Sequence, residues 1–175
     1  MAGESKNNHK TVLWICVTGL FMGLNILMSS FSLPVPGGHL YLNDVVIDTA
    51  ALLMDPFSAF LVGGVGAFLG DLFFYPTPMF VSLVTHGLQA VVISLLSQRV
   101  LKKEPKIASV PALALGALIM VAGYTFGRAF IYGTPKASIA KLPYQILQAV
   151  VGAVGAWLLV WKCGLKKLYH RSFGE

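Results

Sequence analysis

The sequence predicts an all-α integral membrane protein with six transmembrane helices and both termini in the cytoplasm. Hydrophobic residues fill 56% of the 175 positions and charged residues only 11%, whereas a soluble domain has about a quarter charged residues. Each span needs roughly 20 apolar residues, so the length suits one six-helix domain over residues 1–175. The net charge of +6 is concentrated near the two termini and in one loop, where the positive-inside rule explains it better than nucleic-acid binding.

The first predicted helix covers about residues 11–30 and contains Gly19 and Gly23. This spacing of small residues lets two helix backbones approach closely. On the pattern alone, the two glycines either pack against a neighbouring helix or dock to another membrane subunit.

A loop rich in proline and glycine is predicted at 32–42, and it has no Lys or Arg. With the N-terminus inside, this loop is expected outside, where His39 and Tyr41 would reach over the mouth of a pocket. The Tyr75-Pro76 turn is expected on the same side.

The second helix is predicted at 43–54 and is short because Asp55 and Pro56 stop it. A short helix after such a loop indicates a cavity wall that faces protein rather than lipid. Asn43 and Asp44 either cap this helix or serve a site. Asp48 is one turn deeper, and capping does not explain it.

The third and fourth helices are predicted at 57–74 and 79–101. The third contains a stripe of small residues against which a neighbouring helix is expected to pack, and Asp71 lies near its outer end. It has no Gly-Lys-Ser/Thr run, so it is not a phosphate-binding loop. On the fourth, Ser82, His86 and Gln89 fall on one face.

The fifth helix is predicted at 108–132 and has Tyr124 and Arg128 on one stripe near its outer end. A charged residue inside a membrane is costly and needs a partner. Asp71 is the first candidate for a structural ion pair with Arg128 because both are expected at similar depth, and Asp48 is the second. The alternative is that Arg128 holds an anion.

The sixth helix is predicted at 142–162, with Tyr144, Gln145 and Gln148 at its outer end, and a basic cytoplasmic tail follows at 163–175. With this topology the polar residues of the spans collect in the outer half, while the inner half is apolar. An outward-facing pocket with aromatic walls and a few polar groups is typical of a small-molecule site. The candidate substrate-binding residues are His39, Tyr41, Asn43, Asp48, Tyr75, His86, Gln89, Tyr124, Arg128, Tyr144, Gln145 and Gln148.

Three other classes of protein fit the sequence less well. A self-sufficient secondary transporter needs inverted repeats or a polar path through the inner half, and neither is visible. An intramembrane hydrolase would have to use Ser82 and His86, which lack a third orienting group in the sequence. A structural scaffold does not explain the costly polar residues. The sequence therefore predicts no catalytic residue, metal or cofactor.

Two segments resemble one known family. Residues 42–48, Leu-Asn-Asp-Val-Val-Ile-Asp, and residues 63–72, Gly-Gly-Val-Gly-Ala-Phe-Leu-Gly-Asp-Leu, precede a Tyr-Pro turn. With the six-helix layout, they resemble the S components of energy-coupling factor (ECF) transporters, which capture vitamins in prokaryotes. The resemblance implies a multi-pass protein of the plasma membrane that binds its vitamin outside. It also implies a transmembrane coupling subunit (T component) and two cytosolic ATPases as partners.

Within that family, the small-residue motif of the first helix docks to the coupling subunit and is commonly Ala-xxx-Ala. Gly19 and Gly23 occupy it here. The resemblance favours a ligand of the pyridoxine or hydroxymethylpyrimidine type, with pantothenate next. A carboxylate such as that of pantothenate would suit Arg128 if Asp71 does not neutralise it. A large flavin is less suited, because no Trp is expected on the pocket side.

Overall fold

The computed structural model describes residues 2–100 and 104–173, and most of this part of the chain is helical. Its elements are α1 (Ala2–Ser30), β1 (Ser32–Val35), β2 (Gly38–Tyr41), α2 (Asn43–Leu53), α3 (Pro56–Phe74), α4 (Met79–Val100), α5 (Pro105–Phe130), α6 (Pro135–Lys162) and α7 (Leu165–Phe173). Within α3, the five residues Leu61–Val65 form a π-helical turn. Similar turns end α4 at Leu96–Val100 and α6 at Leu158–Lys162.

Five of the described helices are long and apolar enough to cross a membrane, namely α1, α3, α4, α5 and α6. The prediction of a helical membrane protein is therefore confirmed. The remaining predicted span is α2, which has 11 residues and a length of about 16 Å. Since the hydrocarbon core is about 30 Å thick, α2 reaches through only about half of it. The side of the membrane on which each terminus lies stays a prediction.

The short helix α2 lies at the centre of the bundle. All of its residues except Val45 are buried, whereas in the spanning part of α1 only 11% of the residues are buried inside the protein. The chain breaks after α2 because the Asp55 carboxylate accepts hydrogen bonds from the backbone amides of Phe57 and Ser58 at 3.0 and 3.1 Å. Pro56 then occupies the first position of α3, where its missing N–H costs nothing.

The predicted loop at 32–42 is in fact a β-hairpin, so the all-α prediction needs this correction. Strands β1 and β2 pair antiparallel, with Ser32 opposite Tyr41 and Val35 opposite Gly38. Gly37 has a φ of +80°, which the third residue of a type II turn requires. The pattern was hidden because each strand has only four residues, and Pro34 argues against a strand.

Helix α6 begins at Pro135, seven residues before the predicted start at 142. Thr134 caps it, since its hydroxyl accepts a hydrogen bond of 3.3 Å from the backbone amide of Ala137. Pro143 lies inside the helix without ending it. Lys141, which lies just before the predicted helix 142–162, therefore belongs to the helix itself.

The small residues of α3 give close helix contacts as predicted, but with two neighbouring helices rather than one. A Cβ atom at Gly66 would lie 2.8 Å from Asn25 Nδ2 in α1, and one at Gly63 would lie 2.8 Å from the carbonyl oxygen of His86 in α4. The side-chain amide of Asn25 donates a hydrogen bond of 2.6 Å to the carbonyl of Val62. Val62 lies in the π-helical turn, where the regular hydrogen-bond ladder is interrupted.

The predicted cytoplasmic tail contains the short helix α7, which follows Gly164. Leu165 and Tyr169 of this helix pack against the apolar core, which includes Leu52, Leu53 and Val160. Helix α7 therefore covers the end of the bundle opposite the hairpin.

Candidate ligand-binding site

A polar cavity lies between the hairpin, the start of α2 and the adjoining ends of α3 to α6. Nine of the twelve residues predicted from the sequence line it: His39, Tyr41, Asn43, Tyr75, His86, Tyr124, Arg128, Gln145 and Gln148. Asp71 and Lys141 add two charged groups, while Gly37, Gly38, Ala67, Pro78 and Met120 complete the wall. The free volume is about 40 Å³, so a ring-sized ligand has to displace side chains or the hairpin.

The other three predicted residues do not line the cavity. Asp48 and Gln89 are each 1% exposed and belong to a layer of hydrogen bonds behind the wall. Tyr144 is half-buried and is not among the residues that line the cavity. Depth in the membrane alone could not separate these three residues from the cavity wall.

Asp44 is the centre of the hydrogen bonds behind the wall. Its carboxylate accepts from the side-chain amide of Gln148 at 2.6 Å and from that of Gln89 at 3.2 Å. Gln89 also donates to Asp48 at 2.9 Å, which gives Asp48 a structural partner. The residue preceding α2 is Leu42, and no side chain caps the helix. The capping interpretation of Asn43 and Asp44 is therefore wrong.

The same layer fixes the proton of His86. Its Nδ1 lies 2.7 Å from Gln89 Oε1, and the Gln89 amide nitrogen is committed to the two carboxylates. Nδ1 must therefore carry a proton and donate to Gln89 Oε1. The His86 ring lies 5.2 Å from the Tyr124 ring, centroid to centroid, so the two rings form one aromatic corner of the wall.

The predicted ion pair between Asp71 and Arg128 is absent from the described residues. The Ser82 hydroxyl donates to the Asp71 carboxylate, and the Tyr124 hydroxyl donates to Ser82 Oγ at 2.5 Å. Arg128 instead donates through Nη1 to Gln145 Oε1 at 3.2 Å. The two charges lie at similar depth, but Arg128 turns towards α6 while Asp71 turns towards α4.

Lys141 is the site residue that the sequence analysis missed. Its ammonium group donates to the carbonyl of His39 and lies 6.0 Å from the centre of the Tyr41 ring. A signal was present, since Lys141 lies four and seven residues before Gln145 and Gln148, on the same helix face. The late predicted start of the sixth helix concealed it.

Two polar atoms in the wall have no partner among the described residues. Asn43 Oδ1 and His39 Nδ1 are buried and form no hydrogen bond with that part of the chain, and buried polar groups are normally satisfied. Both residues line the cavity, so these atoms are available to a ligand.

Burial is the main cause that raises the pKa of Tyr41, and it raises the pKa of Tyr132 to about 12. Both phenols therefore keep their protons and remain donors.

The geometry does not support catalysis or metal binding in the described part of the chain. Ser82 is engaged with Asp71 and Tyr124, and His86 with Gln89, so no hydrogen bond joins Ser82 to His86. Over residues 2–100 and 104–173, no group of three or more His, Cys, Asp or Glu side chains could hold a metal ion. The arrangement suits binding of a small polar molecule.

Comparison with known proteins gives three matches. The family model described as ECF-type riboflavin transporter, S component, matches residues 9–167. The thiamine precursor transporter HmpT of Lactococcus lactis subsp. cremoris is 35% identical over 160 residues, which is 89% of this chain and 88% of that protein. An uncharacterized protein in the gap 3' region of Pyrococcus woesei is 31% identical over 124 residues, which is 70% of this chain and 81% of that protein.

Proposed function

The chain belongs to the ECF-type riboflavin transporter S component family, and from this premise we propose that it captures a thiamine precursor of the hydroxymethylpyrimidine type. The family and the HmpT relative are described as transporters rather than enzymes. The relative that aligns along most of this chain is a thiamine precursor transporter, which supports this class of ligand. The cavity end of the bundle faces outside, and the protein lies in the plasma membrane of a prokaryotic cell.

The observation that carries the choice of ligand is the unpartnered Asn43 Oδ1 in the cavity wall. An aminopyrimidine has an exocyclic amino group that can donate to this oxygen. Its ring nitrogens can accept a hydrogen bond from the phenol of Tyr41, which lines the cavity. The rings of His86 and Tyr124 offer faces against which a flat ring can stack. Pyridoxine shares the ring size and the hydroxymethyl groups and is the nearest competitor.

Riboflavin, which the family name mentions, fits this cavity less well. None of the three Trp residues lines it. Trp14 donates to Asp55, Trp161 donates to Ser109, and the Trp157 ring lies under Lys106. The broad apolar stacking surface that a three-ring flavin requires is therefore missing from the wall.

Pantothenate remains the second candidate because of one specific observation. Arg128 would suit a carboxylate provided that Asp71 does not neutralise it, and Asp71 is bound to Ser82 instead. A carboxylate-bearing vitamin therefore has a cation to meet in this cavity.

Delivery into the cell requires an energy source that this chain does not supply, and we assign it to a T component with two cytosolic ATPases. The face of α1 that bears Gly19 and Gly23 is available for such a subunit, since a Cβ at either glycine would meet nothing within 4 Å. Leu20 and Leu27 beside it are 70% and 52% exposed. Close backbone contact between helices uses this kind of surface.

The proposal is tested by titrating purified protein with hydroxymethylpyrimidine, pyridoxine, pantothenate and riboflavin and following its melting temperature. A ligand at 100 times its Kd stabilises a protein by about 2.7 kcal/mol, so the true ligand should give a clear upward shift. We expect the pyrimidine to give the largest one. No shift with any vitamin-like compound would contradict vitamin capture, and proton-driven uptake by this chain alone in vesicles would favour a secondary transporter.

A further inference from the structure

Two cationic side chains meet at the hairpin side of the cavity. Arg128 of α5 and Lys141 of α6 are 8% and 3% exposed, and both line the cavity. A Cβ atom on Gly38 would lie 3.5 Å from Arg128 Nη2 and 3.5 Å from Lys141 Cδ. The two side chains therefore pack against the same point of the hairpin.

Neither cation has an anionic partner among the described residues. The one described acid–base contact within 4.0 Å joins His86 to Asp44. Arg128 donates to the neutral amide of Gln145, and Lys141 donates to the backbone carbonyl of His39. A guanidinium has five N–H donors and an ammonium has three, so both retain donors beyond these contacts.

The nearby carboxylates are already engaged elsewhere. Asp71 accepts from Ser82, and Asp44 accepts from Gln89 and Gln148. Burying one uncompensated charge is unfavourable, and burying two of the same sign close together adds repulsion. An anion bound in the cavity would offset the charges of both cations.

We propose that Arg128 and Lys141 form an anion subsite at the hairpin end of the cavity and that the captured ligand carries a carboxylate or phosphate group there. The planar guanidinium matches the paired oxygens of either group, and the ammonium adds a second charge. Because Gly38 has no side chain, no Cβ atom occupies the position 3.5 Å from Arg128 Nη2 and Lys141 Cδ. This inference rests on the proposed function and refines it.

The subsite changes the expected form of the ligand. Neutral hydroxymethylpyrimidine satisfies Asn43 Oδ1 but leaves both cations uncompensated. Its phosphate ester places an anion on Arg128 and Lys141 while the ring keeps the same wall of aromatic side chains. Pantothenate offers a carboxylate to the same two cations. The two compounds therefore share an anionic group and differ in the rest of the molecule.

The test measures the affinity of purified protein for hydroxymethylpyrimidine, hydroxymethylpyrimidine phosphate, pantothenate and inorganic phosphate by isothermal titration calorimetry. The variants are R128Q, R128K and K141M. K136M is the matched control, because Lys136 lies on the same helix as Lys141 but is exposed and does not line the cavity. We expect one anionic compound to bind about tenfold to a hundredfold more tightly than the neutral pyrimidine.

In R128Q and K141M the ratio between the affinity for the anionic compound and that for the neutral pyrimidine should fall towards one. R128K should retain part of this ratio, and K136M all of it. A neutral pyrimidine that binds as tightly as both anionic compounds would overturn the subsite and leave the proposed function intact. Equal losses for neutral and anionic compounds in both variants would mean that the cations only hold the hairpin. If R128Q does not fold, the wild-type series and K141M decide. Failure of every organic compound to bind contradicts the proposed function itself.

Discussion

The side-chain amide of Gln148 donates a hydrogen bond of 2.6 Å to the carboxylate of Asp44, which lies 104 residues earlier in the chain. This contact joins α6 to the buried helix α2. One turn further along α6, Gly152 lets the two helices approach so closely that a Cβ there would lie 2.5 Å from Asp44 Cβ. Gln148 also accepts from the backbone amide of Tyr41 at 3.1 Å. One glutamine therefore holds the hairpin, α2 and α6 in register around the cavity.

Replacing Asp44 by Asn tests this role. Both Asp44 oxygens accept from amide donors, Gln148 at one and Gln89 at the other. An Asn at this position has only one oxygen and faces one of the donors with its own NH₂ group. We expect a loss of about 1–3 kcal/mol in the free energy of unfolding, measured as a lower melting temperature in detergent.

D48N is the matched control for that variant. Asp48 accepts one described hydrogen bond, through Oδ1 from Gln89, and an Asn can keep that oxygen in place. Its melting temperature should fall less than that of D44N. Equal losses in the two variants would mean that charge, rather than the number of hydrogen-bond acceptors, governs this layer.

The close contact between α1 and α3 predicts an asymmetry among glycines. A Cβ at Gly70 would lie 2.5 Å from Ser29 Oγ, whereas one at Gly23 would meet nothing within 4 Å. We expect G70A to lose about 1–3 kcal/mol of stability by overpacking. G23A should be neutral or slightly stabilising, because Ala favours a helix more than Gly does. Thermal unfolding of the two variants gives the comparison, and equal effects would contradict it.

The sequence predicted the ends of α2 and α3 well because the signals there are local. Asp55 and Pro56 stop one helix and start the next through their own side chains, and no distant residue is needed. The small-residue stripe of α3 is a local signal too, because small side chains by themselves allow a neighbouring backbone to approach closely. Most of the residues now found around the cavity were predicted from their depth and polarity.

The sequence could not predict in which direction each side chain points around its helix axis. Arg128 and Asp71 share a depth, yet their side chains turn to different helices, so the pairing inferred from depth was wrong. Asp44 lies in the first turn of α2, which suggested a cap, but its partners come from α4 and α6, and only tertiary packing reveals them. Lys141 was missed because Thr134 and Pro135 begin α6 earlier than hydrophobicity suggested.

The unoccupied face of α1 predicts a separation between binding and transport. A Cβ atom at Gly19 or Gly23 meets nothing within 4 Å among the described residues, but bulky side chains there would block close approach of a partner helix. We expect the double variant G19L/G23L to bind ligand with unchanged affinity and to lose ATP-dependent uptake in cells that contain the coupling subunit and ATPases. Loss of ligand binding in this variant would show that the two glycines support the fold instead.

The tight turn of the hairpin predicts a local effect on ligand affinity. A Cβ at Gly37 would lie 2.6 Å from the carbonyl oxygen of Ala137, and the φ of Gly37 is +80°. G37A should therefore lift the hairpin from α6 and weaken ligand binding by about tenfold, equivalent to about 1.4 kcal/mol. G164A is the control, since Gly164 has a similar φ of +77° with open space around it and lies far from the cavity. Similar affinity in G37A and wild type would contradict the role of the hairpin.

The carboxylate of Asp55 predicts a pH dependence of stability in acid. Burial opposes its ionisation, but hydrogen bonds from Ser58, Trp14 and the backbone amides of Ser58 and Phe57 together hold its pKa below the usual value of 3.8. A carboxyl whose pKa is lower in the folded state stabilises the fold fully above its unfolded pKa. That contribution disappears as the pH falls through the folded value.

Melting temperatures of wild type and D55N between pH 2.5 and pH 7 test this expectation. At neutral pH the variant should be less stable by about 1 kcal/mol, because Asp55 Oδ2 accepts from Trp14 and Ser58 and the NH₂ group of an Asn cannot accept there. Below about pH 4 the two curves should converge, since protonation removes the same contribution from the wild type. A difference that stays constant down to pH 2.5 would mean that the Asp55 carboxylate adds nothing as a charge. The break between α2 and α3 would then depend on Pro56 and packing alone.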